Sequence, residues 1–448
     1  MPNRKESASL REIFTRDFLL LATINLAMFF GFQMTNVGLP VYVAQLGANA
    51  QIVGLVGTVM TITAVVVRIF AGPLLDRFGR KGALVGGSVV MAASIFSYAV
   101  FPLVGIILGV RLLQGVGWGL GSTASSTMAA DVIPKRRFAE GMGYFALTNA
   151  LSSALAPAVS IALVQGPGAH YMIYVAAGCT ALAFVLALFQ RNTAKRAEIS
   201  PGAPANASEA GKQTMSEHTA PEPNAAPNEQ AAQEHMPAPE SVGQPDTAPA
   251  GSVGTARPPA STLASVLDAV FERRALFPGV LMLLVNIGFG CITTFIALHG
   301  QEQGVANVSI YFIAYAVVTL ASRPMIGRLI DRYGYRMPSI LSCLGTVLTL
   351  ALIGLANSTL MFACAGTLAG IGIGTAMGVF QAMAVASVEP WRRGVATSTY
   401  FIAFDIGIAA GSLLGGFVAG AFGYTVMYFA VAAFPLLAGI LSAAMVRN

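Results

Sequence analysis

Twelve apolar stretches, each about as long as a bilayer is thick, leave this chain one kind of environment in which to fold. A hydrocarbon core of about 30 Å takes about 20 residues of helix. In the first half, the stretches at roughly 18–39, 51–72, 82–101, 103–127, 140–164 and 169–190 meet that length. In the second half, so do those at roughly 277–298, 307–327, 338–356, 359–386, 395–418 and 422–445. Only 10% of residues are charged, against roughly a quarter in a soluble domain. The expected fold is an all-α membrane protein of twelve transmembrane helices, built as two six-helix bundles. No cleavable leader is expected, because the apolar run from Phe18 to Leu39 that follows Arg4, Lys5, Arg11 and Arg16 is too long for a signal segment.

The polar segments divide the chain. Residues 1–17 are expected to be a cytoplasmic N-terminus, 18–190 the first bundle and 277–446 the second. Between them, 191–262 is rich in Pro, Ala, Glu, Gln and Ser and poor in aromatics. Such a segment cannot bury enough apolar surface to offset its ordering entropy, so a disordered cytoplasmic linker is expected. Residues 263–276 carry apolar side chains at helical spacing with charges at the end, which predicts a short amphipathic helix at the interface. Of the 26 Lys and Arg, essentially all lie in the termini, the linker and the loops after spans two, four, six, eight and ten. The alternate loops, near 40–50, 102, 165–170, 299–306, 357 and 419–424, hold none. Basic residues are retained inside, so both termini are placed in the cytoplasm and the protein in the inner, or plasma, membrane. Lipid headgroups therefore account for the net charge of +6, and nucleic acid is not an expected partner. The four cysteines stand singly in apolar surroundings, with no metal-ligand spacing.

The halves repeat one another. RIFAGPLLDRFGRK, from Arg68 to Lys81, returns 255 residues later as RPMIGRLIDRYGYR, from Arg323 to Arg336. In that register Gly72 falls on Gly327, Asp76 on Asp331, Arg77 on Arg332, Gly79 on Gly334 and Lys81 on Arg336. Gly115, Gly117 and Gly119 fall on Gly370, Gly372 and Gly374 at the same offset; after a slip of one residue Tyr144 falls on Tyr400 and Asn149 on Asp405. Two halves of like topology, related by an axis along the membrane normal, form a transporter plan.

These motifs resemble the major facilitator superfamily, and the resemblance covers the chain apart from its termini and linker. GPLLDRFGRK, Gly72 to Lys81, is similar to the family's signature between helices two and three, with GRLIDRYGYR as a weaker copy. RLLQGVGWG, Arg111 to Gly119, resembles its helix-four motif, and DVIPKRRFAEG, Asp131 to Gly141, its connection into helix five. Drug and proton antiporters of the family typically have Gly-Pro and paired glycines in helix five. Here Ala156 precedes Pro157 and the paired glycines are absent, though the proline still bends the helix. The rest resembles bacterial efflux members. The resemblance implies alternating access: two halves rock about a central cavity that opens to one side at a time.

Charged and polar residues inside the spans then become candidates. Asp76, Arg77, Arg80 and Lys81, with Asp331, Arg332 and Arg336, read either as an inner gate that clamps neighbouring helices or as solvated, topology-setting charges. Arg111 lies about 12 Å inside span four. It reads as a contributor to substrate binding or proton coupling, or as a structural arginine satisfied by carbonyls. Asp405 alone among the 20 carboxylates falls near the middle of a span, about 16 Å into it. That depth suits a group that binds and releases a proton, or a permanently protonated acid that holds helices together. Gln33, Asn36, Gln114, Asn149, Asn286, Gln381, Tyr144 and Tyr400 are expected to line the cavity, each with helix-to-helix bonding as the alternative.

The expected function is proton-coupled efflux of a small organic molecule by a monomer. The partners are that substrate, protons and membrane lipids, and the proton gradient is the energy source in place of any cofactor. Import of a sugar or organic acid is the alternative, and a non-transporting receptor on the same scaffold is a further one. ATP-driven transport is not expected, because the chain lacks a P-loop, and no constellation supports an enzyme.

Overall fold

The structure, a computed structural model, describes residues 12–134, 137–191, 271–305, 307–389 and 392–446. Within them every regular element is a helix. In the first half, span one is α1 (Arg16–Gln45) and span two is α2 (Ala50–Ile69), continued by the short α3 (Ala71–Phe78). Spans three to six are α4 (Arg80–Val100), α5 (Val104–Val132), α6 (Phe138–Gln165) and α7 (Ala169–Phe189). In the second half, spans seven to nine are α8 (Arg273–Glu302), α9 (Ser309–Tyr333) and α10 (Arg336–Leu355). Span ten is α11 (Thr359–Ala369), a π-helical turn over Gly370–Gly374, and α12 (Thr375–Ala386). Spans eleven and twelve are α13 (Arg393–Val431) and α14 (Ala433–Met445), and the chain reverses at Gly423, whose φ of 85° suits a residue with no Cβ.

Among the described residues, ten helical stretches are long and apolar enough to cross a membrane. The last of these, Val395–Met445, contains two crossings, and α9, with its apolar part at Ser309–Ser322, is the remaining one. The fold is thus the expected twelve-helix, all-α membrane architecture. Residues 192–270 lie outside the described residues, and so do the linker and most of the interfacial helix expected at 263–276. By Arg273 the chain has already entered α8.

Local chemistry explains where the helices begin and end. The side chains of Thr15, Asn49 and Ser358 each accept a hydrogen bond from a backbone N–H in the first turn that follows, at 3.2, 3.0 and 3.4 Å. These caps satisfy donors that the helix itself cannot. At the other end, Gly79 and Gly334 stop α3 and α9 with φ of 72° and 65°, a backbone region that costs glycine least. The repeated sequence motif thus encodes a repeated helix stop.

The repeated glycines set how closely the helices approach. Gly115 and Gly119 press against Met60, Ala64 and Val67 of α2, while Gly117 lies on Gly87 of α4. In the second half, Gly370 and Gly374 press against Val318 and Thr319 of α9, and Gly372 lies on Gly345 of α10. Where lipid removes the hydrophobic drive between helices, such close backbone approach is what holds them.

Between the halves, α2 packs against α13. Ala50, Gly54, Gly57 and Thr58 meet Ala409, Ser412 and Gly416, and the Thr58 hydroxyl donates to the Ala409 carbonyl at 3.0 Å. These residues lie in the half of α2 that is remote from the Asp76 motif. At the motif end, α3 packs chiefly on α2, α4 and α5 of its own half. Along α2 and α13, the halves are therefore seamed at the end away from the motif.

Candidate functional site

Arg111 is fully buried and its partners come from the first half alone. One guanidinium nitrogen donates to the Gln114 side-chain oxygen at 3.1 Å, and the other donates to the Thr35 carbonyl of α1 at 2.9 Å. Gln114 is shared further: its amide donates to the Thr35 hydroxyl at 3.0 Å, and it accepts from the Tyr98 hydroxyl of α4 at 2.7 Å. Arg111 and Gln114 together thus tie three helices. A charge in hydrocarbon needs this kind of enclosure, and only Nε is left without a partner. In this conformation Arg111 and Gln114 bond helix to helix.

Asp405 meets a different cation. Its carboxylate is paired with the guanidinium of Arg68 on α2, which also reaches the Ser122 hydroxyl of α5 at 3.4 Å. Both side chains are mostly enclosed, with exposures of 14% for Asp405 and 19% for Arg68. The pair bridges the two halves. Arg68 sits ten residues before the end of α3, about 15 Å of helix, and Asp405 twelve residues after the start of α13, about 18 Å. They face each other at similar depth, on the motif side of the Thr58–Ala409 seam.

The counterpart of Asp405 does something else. Asn149 on α6 accepts from the Asn25 amide of α1 at 2.5 Å, and Asn25 also donates to the Thr148 hydroxyl at 2.8 Å. This is a neutral bond within one half. The repeat partner of Arg68 is Arg323, whose side chain lies outside the described residues.

Most of the motif charges act within their own halves. Arg80 pairs with Asp131 at the end of α5. Lys81 donates to the Leu188 carbonyl of α7 at 2.9 Å, and Arg336 to the Ala443 carbonyl of α14 at 2.7 Å. Both reach 107 residues along the chain to a carbonyl in the last turn of a helix, where orphan acceptors and the negative end of the dipole favour a cation. The guanidiniums of Arg77 and Arg332 lie 5.8 and 5.2 Å from the ring centres of Phe78 and Tyr333. Asp331 is exposed, with no ion pair among the described residues, and the side chain of Asp76 lies outside them.

The other candidates separate into two groups. Asn286 donates to the Phe404 carbonyl at 3.1 Å, and the Tyr400 hydroxyl to the Met377 carbonyl at 3.0 Å; both bond helix to helix. Gln33 and Asn36 on α1 are largely enclosed, Gln381 on α12 is half-buried, and none of the three has a side-chain hydrogen bond among the described residues. Tyr144 packs its ring 5.0 Å from that of Phe14. Near Gln33, Phe32 stacks on Trp118 at 4.0 Å with Phe29 edge-on, an apolar wall inside the first half.

The sequence does not single out Arg68 as the partner of Asp405, although its repetition at 323 is plain. Nor does it single out His299, buried near the far end of α8 with its ring nitrogen Nε2 3.0 Å from the Ile353 carbonyl.

Two like six-helix halves, packed along α2 and α13 and bridged by an ion pair, match a two-halved plan known among membrane transporters. The chain belongs to the Major Facilitator Superfamily, whose sequence profile matches residues 21–312 and 279–448. It is 21% identical over 424 residues to the staphylopine export protein of Staphylococcus aureus (strain Mu50 / ATCC 700699), covering 92% of this chain and 91% of that one. It is 29% identical over 177 residues to an uncharacterized MFS-type transporter of Burkholderia mallei (strain SAVP1), covering 40% of this chain and 42% of the relative. Among solved structures, the nucleoside transporter NupG superposes with a TM-score of 0.68 at 13% identity, covering 97% of this chain and all of that one. The human organic anion transporter MFSD10 superposes with a TM-score of 0.61 at 14% identity, covering 96% of this chain and all of that one. At such identities the structures speak for the fold alone. The chain is a multi-pass membrane transporter and not an enzyme.

Proposed function

We propose that the protein exports a small organic molecule from the cytoplasm in exchange for protons, with Asp405 as the proton-binding group. The observation that carries this reading is the pairing of Asp405 with Arg68 across the two halves. A proton on Asp405 removes one charge of that pair and leaves Arg68 alone, so protonation changes how strongly the halves hold together at this depth. Only a ligand that binds two states differently can shift them, and a proton at this position does. The motif end is taken as cytoplasmic, with both termini there and the chain in the inner membrane. The conformation described then faces inward, closed outside by the Gly54–Gly416 seam. In the opposite state Asp76 and Asp331, with Arg77 and Arg332, close the inner side, while Arg80, Lys81 and Arg336 keep each bundle's own helix ends in place. Gln33, Asn36 and Gln381, with amides uncommitted here, are the polar contacts offered to substrate, and Phe29, Phe32 and Trp118 the apolar ones. Arg111 acts on coupling through α1, which it holds beside those residues. The monomer is the working unit, needs no cofactor and has no nucleic-acid partner. Export is favoured over uptake by the likeness to an export protein along nearly the whole chain.

The test is flux in everted vesicles under an imposed pH gradient, after deletion and overproduction have identified a compound whose internal level the protein lowers. Asp405→Asn is expected to insert normally and to lose gradient-driven transport by at least about tenfold, or about 1.4 kcal/mol. Wild-type flux from that variant would sink the coupling role. Loss of uptake on deletion, instead of raised accumulation, would reverse the direction.

A further inference from the structure

At the motif end, the outer faces of α1 and α7 do not close on each other. Leu19, Leu20 and Thr23 on one side and Leu186 and Phe189 on the other line a groove of about 630 Å³, with Arg16 at its mouth. Phe189 is 66% exposed and Leu19 49%, so the walls face the surrounding medium, which for these helices is lipid. Thr23 adds no polar demand, since its hydroxyl donates back to the Leu19 carbonyl at 2.9 Å. Apolar walls alone would suit any acyl chain.

The charge at the mouth makes the groove selective. Arg16 is exposed, without an ion pair or hydrogen bond among the described residues. Arg191, two residues after Phe189, is likewise exposed and unpaired among them. Lys81 is held beside them by its bond to the Leu188 carbonyl, which uses one of its three donors. The carboxylates nearest in sequence, Glu12 and Asp17, are already engaged in interactions of their own. Arg16 therefore stands at the mouth of an apolar groove, with Lys81 bonded at Leu188 and Arg191 two residues beyond Phe189, and Arg16 and Arg191 have no counter-ion among the described residues. A basic pocket of this kind between transmembrane helices matches an anionic phospholipid, with acyl chain in the groove and phosphate at the mouth.

We infer that this groove is a binding site for a phospholipid with a net negative headgroup, of the phosphatidylglycerol class. The site lies on the first half alone, away from the seam and the Arg68–Asp405 pair, so it stands whether or not protons are coupled. The experiment uses the full chain in detergent, with phosphatidylglycerol or phosphatidylcholine of matched acyl chains as probe and native mass spectrometry as readout. The wild type is expected to retain phosphatidylglycerol in preference. The double variant Arg16→Gln, Arg191→Gln is expected to weaken that retention by about fivefold or more and to leave phosphatidylcholine unchanged. A second measurement places the chain. In the Phe189→Trp variant, the fluorescence added to that of the two native tryptophans should be quenched more by brominated phosphatidylglycerol than by brominated phosphatidylcholine. Equal retention of the two lipids, or an unchanged double variant, overturns the proposal. So does displacement of the lipid by inorganic phosphate with no change in the emission of the Phe189→Trp variant, which would make the mouth a free-phosphate site.

Discussion

The two halves carry the same motif charges and the same glycines, yet they differ at two positions that hold a charge in the membrane, Arg111 and Asp405. Lys81 and Arg336 make the same bond to the same place, and Gly117 and Gly372 allow the same close contact. Arg111, by contrast, has Gly366 as its repeat partner, and Asp405 has Asn149. The first half ties three of its helices through a buried cation and the glutamine beside it. The second half has no such cation among the described residues, packs Gly366 on the Tyr311 carbonyl, and relaxes into a π turn over Gly370–Gly374. Duplication thus preserved the rules of packing and the arginine at 68 and 323, while Arg111 and Asp405 stand where the duplicates diverged. This also makes mechanical sense. A first half with its charge enclosed can serve as the body against which the Arg68–Asp405 pair is made or broken.

Breaking the asymmetry at Arg111 should have the largest effect. Arg111→Met removes the cation, takes the side-chain donor from the Thr35 carbonyl and takes one of two donors from the Gln114 oxygen, in a dry interior. A buried acceptor left short of a donor costs about 1–3 kcal/mol. The variant is therefore expected to lose most of its monodisperse protein on mild heating in detergent. The next effect is at the cross-half pair. Arg68→Gln and Asp405→Asn should each impair transport, and the double variant should be no worse than the poorer single one. That gives a coupling of up to about 3 kcal/mol in a double-mutant cycle. Strictly additive losses would show that the two residues act separately.

How much of this was legible in the sequence follows from which forces act locally. Span length, the positions of Gly79 and Gly334 and the glycine repeat depend on the chain near them, and these could be read from residue type and period. The depth of Asp405 could be read as well, because it needs only a count along one helix. Its partner could not. Arg68 is 337 residues away, and the register between α2 and α13 is set by which small residues meet, Gly54 with Gly416 and Gly57 with Ser412. The sequence motif also drew attention to the whole run from Asp76 to Lys81 as one gate. In the structure Arg80 and Lys81 are engaged inside their own half, because a cation at a helix end finds the nearest carbonyl or carboxylate first.

The glycine contacts sharpen the comparison at a smaller energy. Gly117→Ala would put a Cβ 2.8 Å from the Gly87 carbonyl, and Gly372→Ala would put one 2.5 Å from the Thr346 nitrogen. Overpacking of this kind costs about 1–3 kcal/mol. Both variants should lower thermal stability, and Gly372→Ala by less, because the π turn already departs from the regular ladder and can shift. Equal losses would show that the π turn gives no slack.

The smallest effects should come from the pair that the halves share most faithfully. Lys81 and Arg336 each place a cation on the last turn of the sixth helix of its half, at Leu188 and Ala443. Both bonds are exposed, so each interaction is screened by solvent and salt, and a cation at a helix C-terminus is worth about 0.3–1 kcal/mol. Lys81→Gln and Arg336→Gln should then lower the melting temperature by similar small amounts. If capping is all these residues do, transport should fall only in proportion to the folded protein that remains. Should either variant lose transport at full abundance, that residue has a second task in the motif-end gate. A loss confined to one of them would place the asymmetry of the two halves in the gate as well as in the membrane interior.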